Sequence, residues 1–144
     1  MKKIKSLAIL LITIILVTGC GSTTTLTCNL VQEEEGMKMN QNLSINFKDD
    51  HATNGKLVMK IELSEEVLPY KSMMAGLMES SFKEGFGLEE TDGVKFSNKD
   101  IDKGIELTID FDFNKIKKDN NLLGEADSFQ SAKETFEEQG YTCK

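Results

Sequence analysis

Met37-Lys38-Met39-Asn40-Gln41-Asn42-Leu43-Ser44-Ile45-Asn46-Phe47-Lys48 sets apolar against polar residues in near-strict alternation. Met37, Met39, Leu43, Ile45 and Phe47 share one phase, and Lys38, Asn40, Asn42, Ser44, Asn46 and Lys48 the other. Successive side chains of an extended chain point to opposite faces, so the stretch predicts a strand buried on one side. The same reading applies to Leu57, Met59, Ile61 and Leu63, with Lys56, Lys60 and Glu62 outward. It applies again to Ile105, Leu107, Ile109, Phe111 and Phe113, with Glu106, Thr108, Asp110 and Asp112 outward. Leu26, Cys28 and Leu30 alternate with Thr25, Thr27 and Asn29, and Val94 and Phe96 open a shorter strand. Glu33-Glu34-Glu35-Gly36, the segment 49–55 ending in Asn54-Gly55, and the segment 99–104 read as turns.

Two segments have a different period. Tyr70, Met73, Met74, Leu77, Met78 and Phe82 fall on one helical face. Ser64 is a possible cap, but Pro69 places the regular start nearby. Gly85-Phe86-Gly87 ends that helix. After a polar loop around Leu122-Leu123, Asp127 with Gln130 resembles a capping box for a last helix, with Phe129, Ala132 and Phe136 on its face. Gly140 closes it. The order is β-β-β-α-β-β-α, and the expectation is a two-layer α+β fold: an antiparallel meander sheet with helices on one face.

The chain's beginning predicts export. Lys2, Lys3 and Lys5 precede an apolar run from Leu7 to Val17, and Val17-Thr18-Gly19-Cys20 follows. A charged, then apolar, then small-residue order marks a removable signal peptide, here residues 1–19. The run has eleven residues where a spanning helix needs about 20. Val-Thr-Gly-Cys resembles the lipobox of bacterial lipoproteins. That resemblance implies a diacylglycerol on the Cys20 sulfur and cleavage after Gly19. Two acyl chains hold a protein to a membrane where one is marginal. Residues 20–24 then form the lipidated cysteine and a short tether, and 25–144 a single domain on the extracytoplasmic face of the cell membrane.

Loss of the three leader lysines takes the formal charge from −7 to −10. So acidic a domain is repelled by nucleic acid and anionic lipid, which argues against a nucleic-acid partner. Once Cys20 is lipidated, Cys28 and Cys143 can pair in only one way. Exported compartments permit that disulfide, although two free thiols are the alternative. Cys28 lies in phase with Leu26 and Leu30, and Cys143 follows Tyr141 by two residues on an extended tail. A tail lying beside the first strand would bring the two Cα atoms to about 5.5–6 Å.

Little in the sequence calls for catalysis or a cofactor. The single histidine, His51, falls in a turn beside Asp49 and Asp50. One histidine and a bridged cysteine pair do not make a zinc site. The stretch Asn98 to Ile109 departs from the EF-hand pattern at the sixth and twelfth positions, Lys103 and Ile109. Asp110 and Asp112 share a strand face and could meet a cation, but a solvated face explains them better; the hydrolase alternative rests on the acidity of the chain at large, and nothing selects a carboxylate pair. Met37, Met39, Met59, Met73, Met74 and Met78 all lie on apolar faces, where methionine is a core filler. An adaptable apolar pocket or a Cu(I) site is the alternative.

The lipobox, Phe47-Lys48-Asp49-Asp50, and the run Ile105-Glu-Leu-Thr-Ile-Asp-Phe-Asp-Phe-Asn-Lys-Ile116 before a final helix ending Gln139-Gly140-Tyr141 resemble the YehR-like small bacterial lipoproteins. The resemblance implies an α+β domain and an exported location, and it carries over no functional residue. The expectation is a membrane-tethered, non-catalytic domain that binds a small ligand or an envelope protein, with a small envelope hydrolase as the alternative. Candidate surfaces are the polar sheet face (Lys38, Asn40, Asn42, Ser44, Asn46, Glu106, Asp110, Asp112) and the seam between the 70–82 helix and the sheet.

Overall fold

The alternating stretches form strands, and their pairing is antiparallel throughout. The computed structural model describes residues 21–86, 93–116 and 128–144. The leader 1–19, Cys20, Gly87 and the 117–127 part of the polar loop, with Leu122-Leu123 and Asp127, lie outside the described residues. Strands β1 (Thr23–Glu34), β2 (Met37–Lys48) and β3 (His51–Leu63) make two long hairpins. A short 3₁₀ turn, Leu68–Tyr70, leads into helix α1 (Lys71–Phe86). Strands β4 (Val94–Ile101) and β5 (Gly104–Asp112) follow, then helix α2 (Phe129–Glu138) and strand β6 (Thr142–Cys143).

The fold is α+β with a six-stranded antiparallel sheet in the order β4-β5-β3-β2-β1-β6. It departs from a simple meander in two ways. The chain leaves β3, runs through α1 to the far edge and returns, so β5 and not β4 lies beside β3. The extended tail also joins the sheet as a two-residue strand against Cys28 and Asn29. Strand β1 takes in Thr23 and Thr24, which the sequence reading gives to the tether.

Turn placement differs from expectation where register competes with local preference. Asn54-Gly55 is a strong hairpin signal, yet the β2–β3 turn is Asp49-Asp50, with φ of 50° and 63°. Both central residues of a type I′ turn need positive φ, which aspartate tolerates better than most residues. Asp50 is held there by a long-range bond, because the first amide of α2, Phe129 N–H, donates to its Oδ1 at 2.9 Å. An acid at a helix start also favours the helix dipole. Beyond the turn, Phe47 faces Ala52, then the register steps so that Asn46 faces Asn54 and Ile45 faces Gly55. Thr53 is the extra residue, and its hydroxyl donates to the Asn46 carbonyl. Without this bulge Leu43 would face Lys56, and β3 would turn Lys56, Lys60 and Glu62 into the apolar layer. Gly55 is needed inside the strand because a Cβ there would press on Phe113 at 3.1 Å and on the Ser44 carbonyl at 3.2 Å. The β4–β5 turn is likewise tighter than the 99–104 reading, with only Asp102 and Lys103 between the strands.

The buried face splits into two clusters. Leu26, Cys28, Leu43, Ile45 and Phe47 join Ala132 and Cys143, with Phe129, Phe136 and Tyr141 packed on them. Phe129 meets Phe47 edge-on, ring centroids 5.6 Å apart. Met59, Val94, Phe96, Leu107 and Ile109 form the second cluster, against which Phe82 of α1 packs. Helix α2 is capped by a Ser128–Ser131 box. It closes in a Schellman turn, with Gly140 N–H on the Glu137 carbonyl and Tyr141 N–H on the Phe136 carbonyl.

Candidate functional site

Helix α1 buries less than its sequence promises. From Lys71 to Glu84 no side chain is fully buried, and Met73 and Leu77 are each 59% exposed, as is Tyr70 at 58%. Polar contacts along one flank hold the helix to β4. Lys71 Nζ reaches the Ile101 carbonyl at 3.4 Å and Asp100 at 3.5 Å. Glu79 accepts from Lys83 at 2.7 Å and from Asn98 at 3.0 Å, and Lys83 lies over the Phe96 ring. The hydrogen bond from Lys83 holds the Glu79 carboxyl below its ordinary range, against a smaller opposing effect of burial. Apolar side chains of the seam are therefore only half covered.

On the sheet beneath, three cross-strand rows lie side by side. Glu34, Met37 and Leu63 form one, Gln32, Met39 and Ile61 the next, and Leu30, Gln41 and Met59 the third. Met78 of α1 meets Met37, Met39, Ile61, Gln32 and Glu34 around a partly enclosed cavity of about 140 Å³. Among the described methionines only Met59 is a fully buried core residue. Met39 packs half-buried against the second core cluster, Met37, Met74 and Met78 are half-buried, and Met73 is exposed, so the core-filler expectation fails outright only for Met73.

Gln41 interrupts the apolar phase of β2, and the structure shows its use. Its Nε2 donates to the Met39 sulfur at 3.7 Å and to Gln32 Oε1 at 3.4 Å. Its Oε1 accepts from the Tyr141 hydroxyl at 2.6 Å. Burial pushes the Tyr141 phenol above its ordinary value, which keeps it a donor. Tyr141 is positioned by its edge-on contact with Phe136 and by the disulfide two residues on. Cys28 and Cys143 are bonded, S–S 2.01 Å, with Cα atoms 4.1 Å apart. That is closer than the expected separation. Thr27 and Lys144 exchange the two backbone hydrogen bonds, so the cysteines occupy the non-hydrogen-bonded position, where paired Cα atoms approach most closely.

The polar sheet face is largely satisfied by its own side chains. Asn29 donates to Asn40 and Asn42, Asn46 to Asn54, and Thr25 to Asn46. Lys56 pairs with Asp110, Lys60 with Glu106, and Lys38 with Glu33. A shallow hollow of about 470 Å³ at the β3–β5–β4 end includes Asp110 and Asp112 in its lining. Asp112 pairs with Lys115 at 3.2 Å, so both carboxylates are lysine-paired and open to water. That is the setting of a surface ion pair. His51 is an exposed first residue of β3 and pairs with Lys48 in register.

No family model matches the sequence, and no curated protein matches it. An NMR structure of a protein from Streptococcus pneumoniae TIGR4 superimposes with a TM-score of 0.55 at 18% identity, covering 88% of each chain. At that identity the likeness shows the fold alone.

The sequence pattern marks the seam as a candidate surface but not Gln32 in the cavity lining, Gln41 behind the Met39 sulfur, or Tyr141, which packs on the α2 side and reaches Gln41. Gln41 was legible as the one polar residue in the apolar phase of its strand. Its partners come from β1 and from the tail, a hundred residues away for Tyr141.

Proposed function

We propose that the chain is a lipoprotein tethered through Cys20 to the extracytoplasmic face of the cell membrane, akin to the YehR-like lipoproteins. In this reading it is a non-catalytic domain that binds an envelope protein or a small ligand at the α1–sheet seam. Both helices lie on the sheet's apolar face, and the opposite face is solvated. One observation carries the seam reading: Met73 and Leu77 of α1, with Tyr70 in the turn just before it, stay more than half exposed beside an unfilled apolar cavity. Scattered apolar residues on a surface are ordinary, but a contiguous stripe beside a cavity favours an interaction site.

The anchor reading rests on the leader pattern. Among the described residues no helix is long and apolar enough to cross a membrane. Strand β1 begins three residues after Cys20, and at 3.4 Å per residue Glu34 lies about 37 Å from Thr23. The cavity end of the sheet thus points away from the anchored end, toward partners beyond the membrane surface.

Two experiments test this. Cys20→Ser should leave the chain unprocessed or released from the membrane, and a membrane-bound product of mature size would overturn the anchor. A photocrosslinker at Leu77 in intact cells should give a discrete adduct that Met73→Lys abolishes. Equal crosslinking from Thr108 on the polar face would overturn the seam. The methionines around the cavity support a second reading of the same site, as a ligand pocket.

A further inference from the structure

We infer that Met37, Met39 and Met78 form a thioether site for a soft monovalent cation, Cu(I), in the cavity under α1. This rests on the seam as a binding region and names its ligand class. Three thioethers from two elements converge on one cavity, and thioether sulfur selects Cu(I) over harder cations. Size decides between a metal ion and an organic ligand. The cavity holds about 140 Å³, whereas pockets for drug-sized molecules run from roughly 300 to 1,000 Å³. Met is the side chain best able to collapse into a gap, yet the gap remains among three of them.

The second observation is the support behind one sulfur. Gln41 Nε2 donates to the Met39 sulfur, and Gln41 is fixed by the Tyr141 hydroxyl. Hydrogen-bonded partners of this kind orient a ligand atom and tune it. They also account for a glutamine where the strand's alternation calls for an apolar residue. The sulfur keeps a second lone pair for the metal, and the Glu34 carboxylate in the lining offers compensating charge. Binding is plain ligand exchange. Copper arrives as Cu(I), a thioether has no proton to lose, and no electron moves.

The test uses the mature, lipidated chain in detergent. Cu(I) is supplied from a chromogenic chelator, and Ag(I) serves as a redox-inert probe followed through methionine methyl resonances. One ion should bind per chain, shifting the methyls of Met37, Met39 and Met78 and leaving those of Met59 and Met73 in place. Met39→Leu and Met78→Leu conserve volume and should each weaken binding by more than the roughly 10-fold expected for Gln41→Leu, a positioning change. Met73→Leu should change nothing. Affinity should stay flat between about pH 6 and 8, unlike a site of histidine or thiol ligands, which exchanges protons with metal. Absence of saturable binding, or binding indifferent to Met39→Leu and Met78→Leu, would overturn the copper site. The crosslink from Leu77 separates the two readings. A persistent adduct without metal binding leaves the seam standing and removes copper, and loss of both removes the seam as well.

Discussion

Removing the disulfide is the most informative perturbation, because it tests how the tail is held. The Cys28–Cys143 bond spans a sequence separation of 115 residues. On the chain-entropy model a closed loop of that size destabilises the unfolded state by about 4.8 kcal/mol. Alanine at both positions also removes two small buried groups, since Cys28 is 1% and Cys143 8% exposed. The remaining hold on the tail is modest: the Thr27–Lys144 backbone pair, the Tyr141–Gln41 bond and the Phe136–Tyr141 contact. Cys28→Ala with Cys143→Ala should therefore cost about 3–5 kcal/mol, lowering Tm by roughly 12–20 °C for a domain of this size. Thermal unfolding by circular dichroism measures the loss. Hydrogen exchange divides it: amides of β2, β3 and β5 that exchange by global unfolding should lose protection by the same free energy, and β6 and α2 should open further by local fraying. A Tm drop under about 4 °C, or no extra opening in β6 and α2 beyond the core's loss, would refute the reasoning.

Four single substitutions have outcomes set by their local surroundings. At Gly104 a Cβ would fall inside the Ile61 carbonyl, so Gly104→Ala should cost at least about 3 kcal/mol; Gly76, with nothing within 4 Å, should accept alanine with a gain of about 0.5–1 kcal/mol, and matched denaturant titrations check both. Glu79 is held below its ordinary carboxyl value chiefly by Lys83, so it stabilises the fold above the unfolded carboxylate range and loses that effect as pH falls. Glu79→Gln should accordingly be less stable than the parent near neutrality, with the gap closing as pH falls below the ordinary carboxylate range in parallel acid titrations. His51→Ala, at an exposed strand end, should change stability by less than about 0.5 kcal/mol and leave copper binding intact, and a larger change would show His51 to be part of a site.

Much of the sheet was legible in the chain. Alternation in 37–48, 57–63 and 105–113 reports which side of each strand is apolar, and only one register phase lets those sides share a layer. The same phase pointed Cys28 inward, toward the bond it makes. Period alone could not choose the turn, because Asn54-Gly55 and Asp49-Asp50 are both locally suited. The bulge at Thr53 and the bond from Phe129 to Asp50 select the second through contacts distant in sequence. Strand order was equally out of reach, since β3 is apolar on one face whether β4 or β5 lies beside it. Helical periodicity marked the apolar face of α1 but not how much of it the sheet covers. That depends on where Phe82 and the flanking polar contacts to β4 set the helix. The cavity exists for the same reason, since side-chain pattern is a property of one segment and an unfilled space is a property of several held at fixed distances.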